Sequence, residues 1–202
     1  MVSPTSTYNL VERFKNGDNE AFSQLFQLYH HRLAVSVYYR MSAELRALHE
    51  VDDILQEVFL SAARNMDQFT YRSPGSFMAW LLRIADHAIV DSARHQNRKK
   101  RHAEEMLRFR SESNPTGPDP VDSKTPSRLF AQAEAFQLLL TRLDLLAPDY
   151  RQVILLSKFE GFSTQEVATQ MGKSREAVAL LLHRAIKQFR ELETGKESDG
   201  HR

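Results

Sequence analysis

Apolar residues recur at intervals of three and four along most of this chain, and sustained alternation of period two is absent, so the pattern predicts helices. The helical spacing runs from about Tyr8 to Arg101 and again from about Arg128 to Leu192. Between them, Ser111 to Pro126 holds four of the seven prolines, and proline continues neither a helix nor a sheet ladder. The expectation is an all-α protein of two small helical domains. Residues 5–102 form the first, 103–127 a flexible linker and 128–193 the second, followed by a frayed polar tail from Gly195.

The sharpest local pattern lies in the second domain, where Ser163 to Val178 reads as a helix-turn-helix. Ser163 is an N-cap, and Glu166 three residues on completes a capping box. Val167 and Ala168 point inward, Ala168 being small enough for a second helix to cross closely. Gly172 supplies a left-handed residue to end the first helix, and Ser174 caps the next. Val178, Leu182, Ala185 and Phe189 then form one buried stripe. Two short helices at a tight turn are the geometry that lays a recognition helix in a major groove, so DNA is the first partner to consider.

Two helices of the first domain carry surfaces the core does not need. From Asp52 to about Met66, the residues Val51, Ile54, Leu55, Val58, Phe59, Ala62 and Met66 make a buried stripe. At about 100° per residue the other side presents Asp53, Glu57, Leu60 and Arg64, with Gln56 beside them. A leucine among acids on the solvent side is the composition of a partner surface, an apolar anchor with a polar rim.

A second helix opens at Ser76, with Phe77, Trp80, Leu81, Ile84, Ala85 and Ala88 facing inward. Arg83, His87, Arg94, Arg98 and Arg101 fall along one edge, and the run from Arg94 to His102 contains no acid. Such an edge matches a phosphate backbone. Ahead of it, the loop Phe69 to Ser76 is held open by Pro74 and Gly75. It brings Tyr71, Arg72 and Ser73 beside the basic edge, a combination suited to unstacked bases.

Composition narrows the classes. The net charge of +1 is uninformative as a sum; its distribution carries the signal. The absence of cysteine removes disulfides and cysteine-ligated zinc, and fits a reducing compartment. No apolar run is long enough to span a bilayer and no signal pattern opens the chain, so the expected location is cytoplasmic without membrane insertion. Enzyme chemistry has no foothold. Adjacent His30 and His31 point about 100° apart on a helix, and no nucleophile–base pair or phosphate loop is present. No cofactor or metal is expected.

Taken together, these motifs resemble the sigma-70 family of RNA polymerase sigma factors, specifically the extracytoplasmic-function (ECF) type. Asp52 to Phe59 resembles its core-polymerase-binding helix, and Ser76 to Ala85 with Asp91 to Arg94 its promoter-melting segment. Leu146 to Leu155 and the helix-turn-helix resemble its C-terminal domain. The resemblance implies that Asp52, Asp53, Gln56, Glu57 and Leu60 dock on the clamp helices of core RNA polymerase. It implies that Tyr71, Arg72 and Ser73 take a flipped minus-ten base while Arg83, His87, Arg94, Arg98 and Lys99 hold promoter DNA. Lys173, Ser174, Arg175, Glu176, Ala179, Leu180, His183 and Arg184 would face the minus-35 element. An anti-sigma factor is implied as a further partner.

Two departures matter. Where the family often places lysine and arginine along the recognition helix, this chain has Ala179 and Leu181, so weak upstream DNA binding is expected unless the polymerase positions the domain. The rival reading is a helix-turn-helix regulator outside the polymerase. It explains the C-terminal motif but neither the basic edge nor the acidic face with Leu60.

Overall fold

The computed structural model describes residues 4–110 and 130–194. Every regular element among them is helical: α1 (Pro4–Lys15), α2 (Asn19–Arg40), α3 (Ala43–Arg46), α4 (Val51–Arg64), a 3₁₀ turn (Met66–Gln68), α5 (Ser76–Arg110), α6 (Phe130–Asp144), α7 (Pro148–Ile154) running into a π-helical turn (Leu155–Glu160), α8 (Thr164–Met171) and α9 (Arg175–Thr194). The all-α expectation holds. Helix α5 continues to Arg110, so the first residues assigned above to the linker are helical. Residues 111–129 and the tail from Gly195 lie outside the described residues, as do the side chains of Lys100, Arg101 and His102.

The N-terminal core is built from the stripes that the spacing marks. Leu25, Tyr29, Leu33 and Val37 of α2 meet Ile54, Leu55, Val58 and Ala62 of α4, with Phe77, Met78, Leu81 and Ala85 of α5. Each large side chain so buried is worth about 1.5–3 kcal/mol. Asp18 caps α2 by accepting from the N–H groups of Glu20 and Ala21. The buried Tyr29 hydroxyl lies 2.9 Å from Thr7 Oγ1, which ties α1 down, and burial pushes the phenol above its ordinary pKa.

The second unit gathers Leu143, Leu146, Val153, Val167, Val178 and Ala185 into its own core. Its start and stop signals act as the sequence predicts. Ser163 Oγ accepts from Glu166 N at 3.3 Å while Glu166 Oε2 accepts from Ser163 N at 2.7 Å. Gly172 has φ +62°, and Ser174 Oγ accepts from Ala177 N.

The two units are not separate beads. Val35 on α2 is completely buried, yet it belongs to the core of the second unit. Helix α2 is therefore apolar on several sides, which is why it shows no single stripe in the sequence: a helix buried all round loses its amphipathic signature.

His30, also on α2, has a side chain 26% exposed, with Nε2 3.7 Å from Asp52 Oδ1 and a ring 4.8 Å from that of Phe26. Burial holds its pKa below the ordinary 6.5, Asp52 opposing and His31 adding to the shift. An unfolded chain binds a proton near that pH which the folded chain resists, so stability falls as pH drops below it. In urea titrations at about pH 7.5 and about pH 5.5, the loss of stability on acidification is therefore expected to be smaller in His30→Gln than in the parent. Equal losses in the two proteins would contradict this.

Candidate functional site

Packing of α4 on α2 and α5 decides what its outer side can touch. Asp52, Asp53, Gln56, Glu57 and Leu60 all reach solvent, and Leu60 is 46% exposed. Asp53 has a second task. It accepts the Glu50 backbone N–H at 3.4 Å, while the Glu50 side chain accepts from Asp53 N, so together they cap α4.

Two grooves flank this side. Between α2 and α4, Phe22, Phe26 and His30 face Leu55, Phe59, Leu60 and Ala63, with Asp52 and Gln56 on the rim, enclosing about 390 Å³. Phe26 is 37% exposed there and its ring centroid lies 4.5 Å from that of Phe59. Leu60 is thus one lip of an aromatic groove. Phe22 and Phe26 were missed by sequence reasoning, because α2 has no one apolar face from which an outlier stands out.

The other groove, between α4 and α5, is lined by Asp53, Glu57 and Ser61 on one wall and by His87, Asp91 and His95 on the other. The acidic face and the basic edge are therefore neighbours that meet at His87 rather than surfaces back to back. Along that edge Arg83, Arg94 and Arg98 are exposed, and Lys99 is exposed to one side of it. Arg83, His87, Arg94 and Arg98 stay within about 60° of one another around the helix. The edge is not wholly free of acid: Asp91 Oδ1 lies 3.6 Å from Arg94 Nη1, a solvent-exposed pair worth little.

The loop ahead of α5 is ordered by one hydroxyl. Ser76 Oγ accepts from the N–H groups of Arg72 and Ser73 and donates to Ser73 O at 2.7 Å. Arg72 and Ser73 are exposed. Tyr71 is half-buried, its ring edge-on to Tyr8 of α1 at 5.5 Å. Phe69 is a core residue, 4.9 Å from the Trp80 ring and 5.3 Å from that of Phe77. The loop thus offers hydroxyl, guanidinium and backbone groups on a rigid aromatic floor.

On the second unit Ser174, Arg175, Glu176, Ala179, Leu180, His183 and Arg184 are all exposed. Lys173 reaches back to Asp149 Oδ2 at 3.1 Å, so the charge is shared with α7. Leu181 packs against the core. Arg175, Arg184 and, one turn beyond His183, Lys187 are exposed cations on this surface, Lys187 lying 3.9 Å from Glu191. Among the described residues, no group of three His, Cys, Asp or Glu could hold a metal, and no helix is long and apolar enough to cross a membrane.

Residues 4–193 match the ECF sigma factor family. RNA polymerase sigma factor CarQ of Myxococcus xanthus is 34% identical over 183 residues, which is 90% of this chain and 94% of CarQ. ECF RNA polymerase sigma factor BldN of Streptomyces coelicolor is 31% identical over 179 residues, 88% of this chain and 62% of BldN. Among solved structures, CnrH in complex with the cytosolic domain of CnrY is similar at 23% identity, covering 96% of this chain and 99% of that one, with a TM-score of 0.45. Matched along nearly its whole length, the chain belongs to the ECF sigma factors of the sigma-70 family; it works by binding RNA polymerase and directing promoter recognition, and it is not an enzyme.

Proposed function

We propose that the two adjoining surfaces of the N-terminal unit divide the work of initiation. The α2–α4 side, with Asp52, Asp53, Gln56, Glu57 and Leu60 joined by Phe26, grips core RNA polymerase. The loop residues Tyr71, Arg72 and Ser73, with Arg83, His87, Arg94, Arg98 and Lys99, hold the parted minus-ten DNA. The observation that carries this reading is the pairing of an exposed Leu60 and Phe26 over an acid-rimmed groove with an exposed cationic edge on the next helix. Extruding a base costs a few kcal/mol, and a pocket that accepts the unpaired strand offsets that cost. The bonds are made by the polymerase.

The surface of α8 and α9, from Lys173 to Arg184, reads the minus-35 element weakly. Ala179 and Leu180 suit thymine methyl groups and Glu176 can accept from a cytosine amine, while phosphate anchoring is sparse. The aromatic groove beside Leu60 is also where an inhibitory anti-sigma partner would compete with polymerase. With DNA and polymerase as partners, the working compartment is the cytoplasm.

Substitution separates the surfaces. Because Asp53 also caps α4, the cleaner variant is Glu57→Lys with Leu60→Ala. It is expected to weaken association with core polymerase by about a hundredfold without changing thermal stability appreciably. Arg94→Ala with Arg98→Ala is expected to leave that association intact, slow promoter opening, and lower the slope of log affinity against log salt by about two. If both variants fail at the same step, the division of labour is wrong.

On the second unit, Ala179→Lys adds a donor to an exposed recognition-helix position. The holoenzyme carrying it is expected to bind upstream-element DNA more tightly, with a salt slope steeper by about one. An unchanged slope would mean that this position does not face the duplex.

A further inference from the structure

Helix α1 has no part in the division of labour proposed above, yet it is pinned to the loop before α5. Its anchors are spread along its length. Thr7, itself buried, lies 2.9 Å from the Tyr29 hydroxyl of α2. Leu10 and Val11 are buried in the N-terminal core. Lys15, the last residue of the helix, donates from Nζ to Phe69 O at 2.7 Å, where the loop begins. Held at both ends and along its inner side, α1 is fixed in rotation as well as in position.

That rotation decides where Tyr8 stands. Its ring meets that of Tyr71 edge-on, with centroids 5.5 Å apart and planes at 64°, and Tyr8 remains 47% exposed. Arg72 and Ser73, both exposed, follow Tyr71 directly. The open ring of Tyr8 therefore borders the stretch that offers guanidinium and hydroxyl. A lone exposed aromatic on a helix carries little meaning. This one is backed by a second ring, on an anchored helix, beside a loop whose backbone Ser76 already orders. A ring held in place beforehand costs little ordering entropy when a ligand packs on it.

The surroundings select what the ring would receive. Helical spacing puts Glu12 one turn from Tyr8 on the same side of α1, and Glu12 is half-buried. An acid there disfavours a phosphate, whereas a nucleobase presents an uncharged π-face. The phosphate falls to Arg72 and the base to Tyr8.

We propose that Tyr8, backed by Tyr71, is a stacking platform for an unpaired DNA base, so that α1 forms one wall of the single-strand site. This deepens the reading of the loop from Tyr71 to Ser73 and rests on it, adding a place for the neighbour of the base which that loop takes up. Every base has a π-face, so the platform contributes affinity without choosing the base, and sequence choice stays with the loop.

The test uses holoenzyme assembled from core polymerase and the full chain. Its DNA is a forked duplex whose single-stranded thymidine tract carries pyrrolocytosine at one position at a time, a base analogue whose fluorescence falls when it stacks. The parent should quench the analogue most strongly at one position of the tract. Tyr8→Leu, which keeps an apolar cover beside Tyr71, should release that quenching and weaken fork binding roughly tenfold. Tyr8→Phe keeps the ring and should behave as the parent does. With an abasic nucleotide at the quenched position, the parent and Tyr8→Leu should bind alike. A tract with no quenched position, or quenching that survives in Tyr8→Leu, overturns the platform. So does a Tyr8→Phe that fails as Tyr8→Leu does, or a loss of affinity that persists on the abasic fork, since either puts Tyr8 in packing rather than stacking. Arg72→Ala separates the underlying reading. If it weakens fork binding and Tyr8→Leu does not, the loop keeps its role and the platform falls. If Tyr8→Leu weakens binding and Arg72→Ala does not, the loop is misassigned while the platform stands.

Discussion

Burial of α2 on several sides is the constraint from which the rest of this structure follows. Tyr29, Leu33 and Val37 commit it to the N-terminal core, Val35 commits it to the C-terminal core, and Phe22 and Phe26 border the groove beside α4. A helix so enclosed cannot rotate to serve one neighbour without exposing apolar surface to water at about 25 cal/mol per Å². Its register therefore fixes, at one stroke, where α4 presents Leu60 and where the second unit docks.

From that fixed register the surfaces follow by packing alone. Val58 and Ala62 must face inward, so Asp53, Glu57 and Leu60 face outward; Leu81 and Ala85 must face inward, so Arg83 and His87 cannot. The two surfaces adjoin along the α4–α5 groove. A negative strip beside a positive edge repels a phosphate backbone from the acidic side, which would let the two proposed partners share one small unit.

Elements with a local cause were legible in the sequence. The capping box at Ser163 and Glu166, the left-handed Gly172, the cap at Ser174 and the start of α5 at Ser76 depend on residues within a turn of each other, and each is found where expected. The amphipathic stripes of α4 and α9 were legible for the same reason. What could not be read is what depends on long-range packing. Nothing near Val35 marks it for a core more than a hundred residues away in sequence. Nothing near Tyr71 marks its half-burial, because its neighbour Tyr8 lies on another helix. Phe26 went unmarked because α2 has several apolar sides. Likewise the meeting of the acidic face and the basic edge at His87 needed the α4–α5 crossing, which no periodicity within either helix contains.

The central claim is that neighbouring surfaces of one unit bind different partners at the same time. Side-chain footprinting in the assembled complex tests it most directly, reading oxidation at Phe26 and Leu60 and arginine-selective modification at Arg94 and Arg98. Core polymerase alone should protect Phe26 and Leu60 and leave both arginines reactive; adding forked promoter DNA should then protect the arginines with no return of reactivity at Leu60. Protection of all four by polymerase alone, or release of Leu60 when DNA binds, would contradict the account.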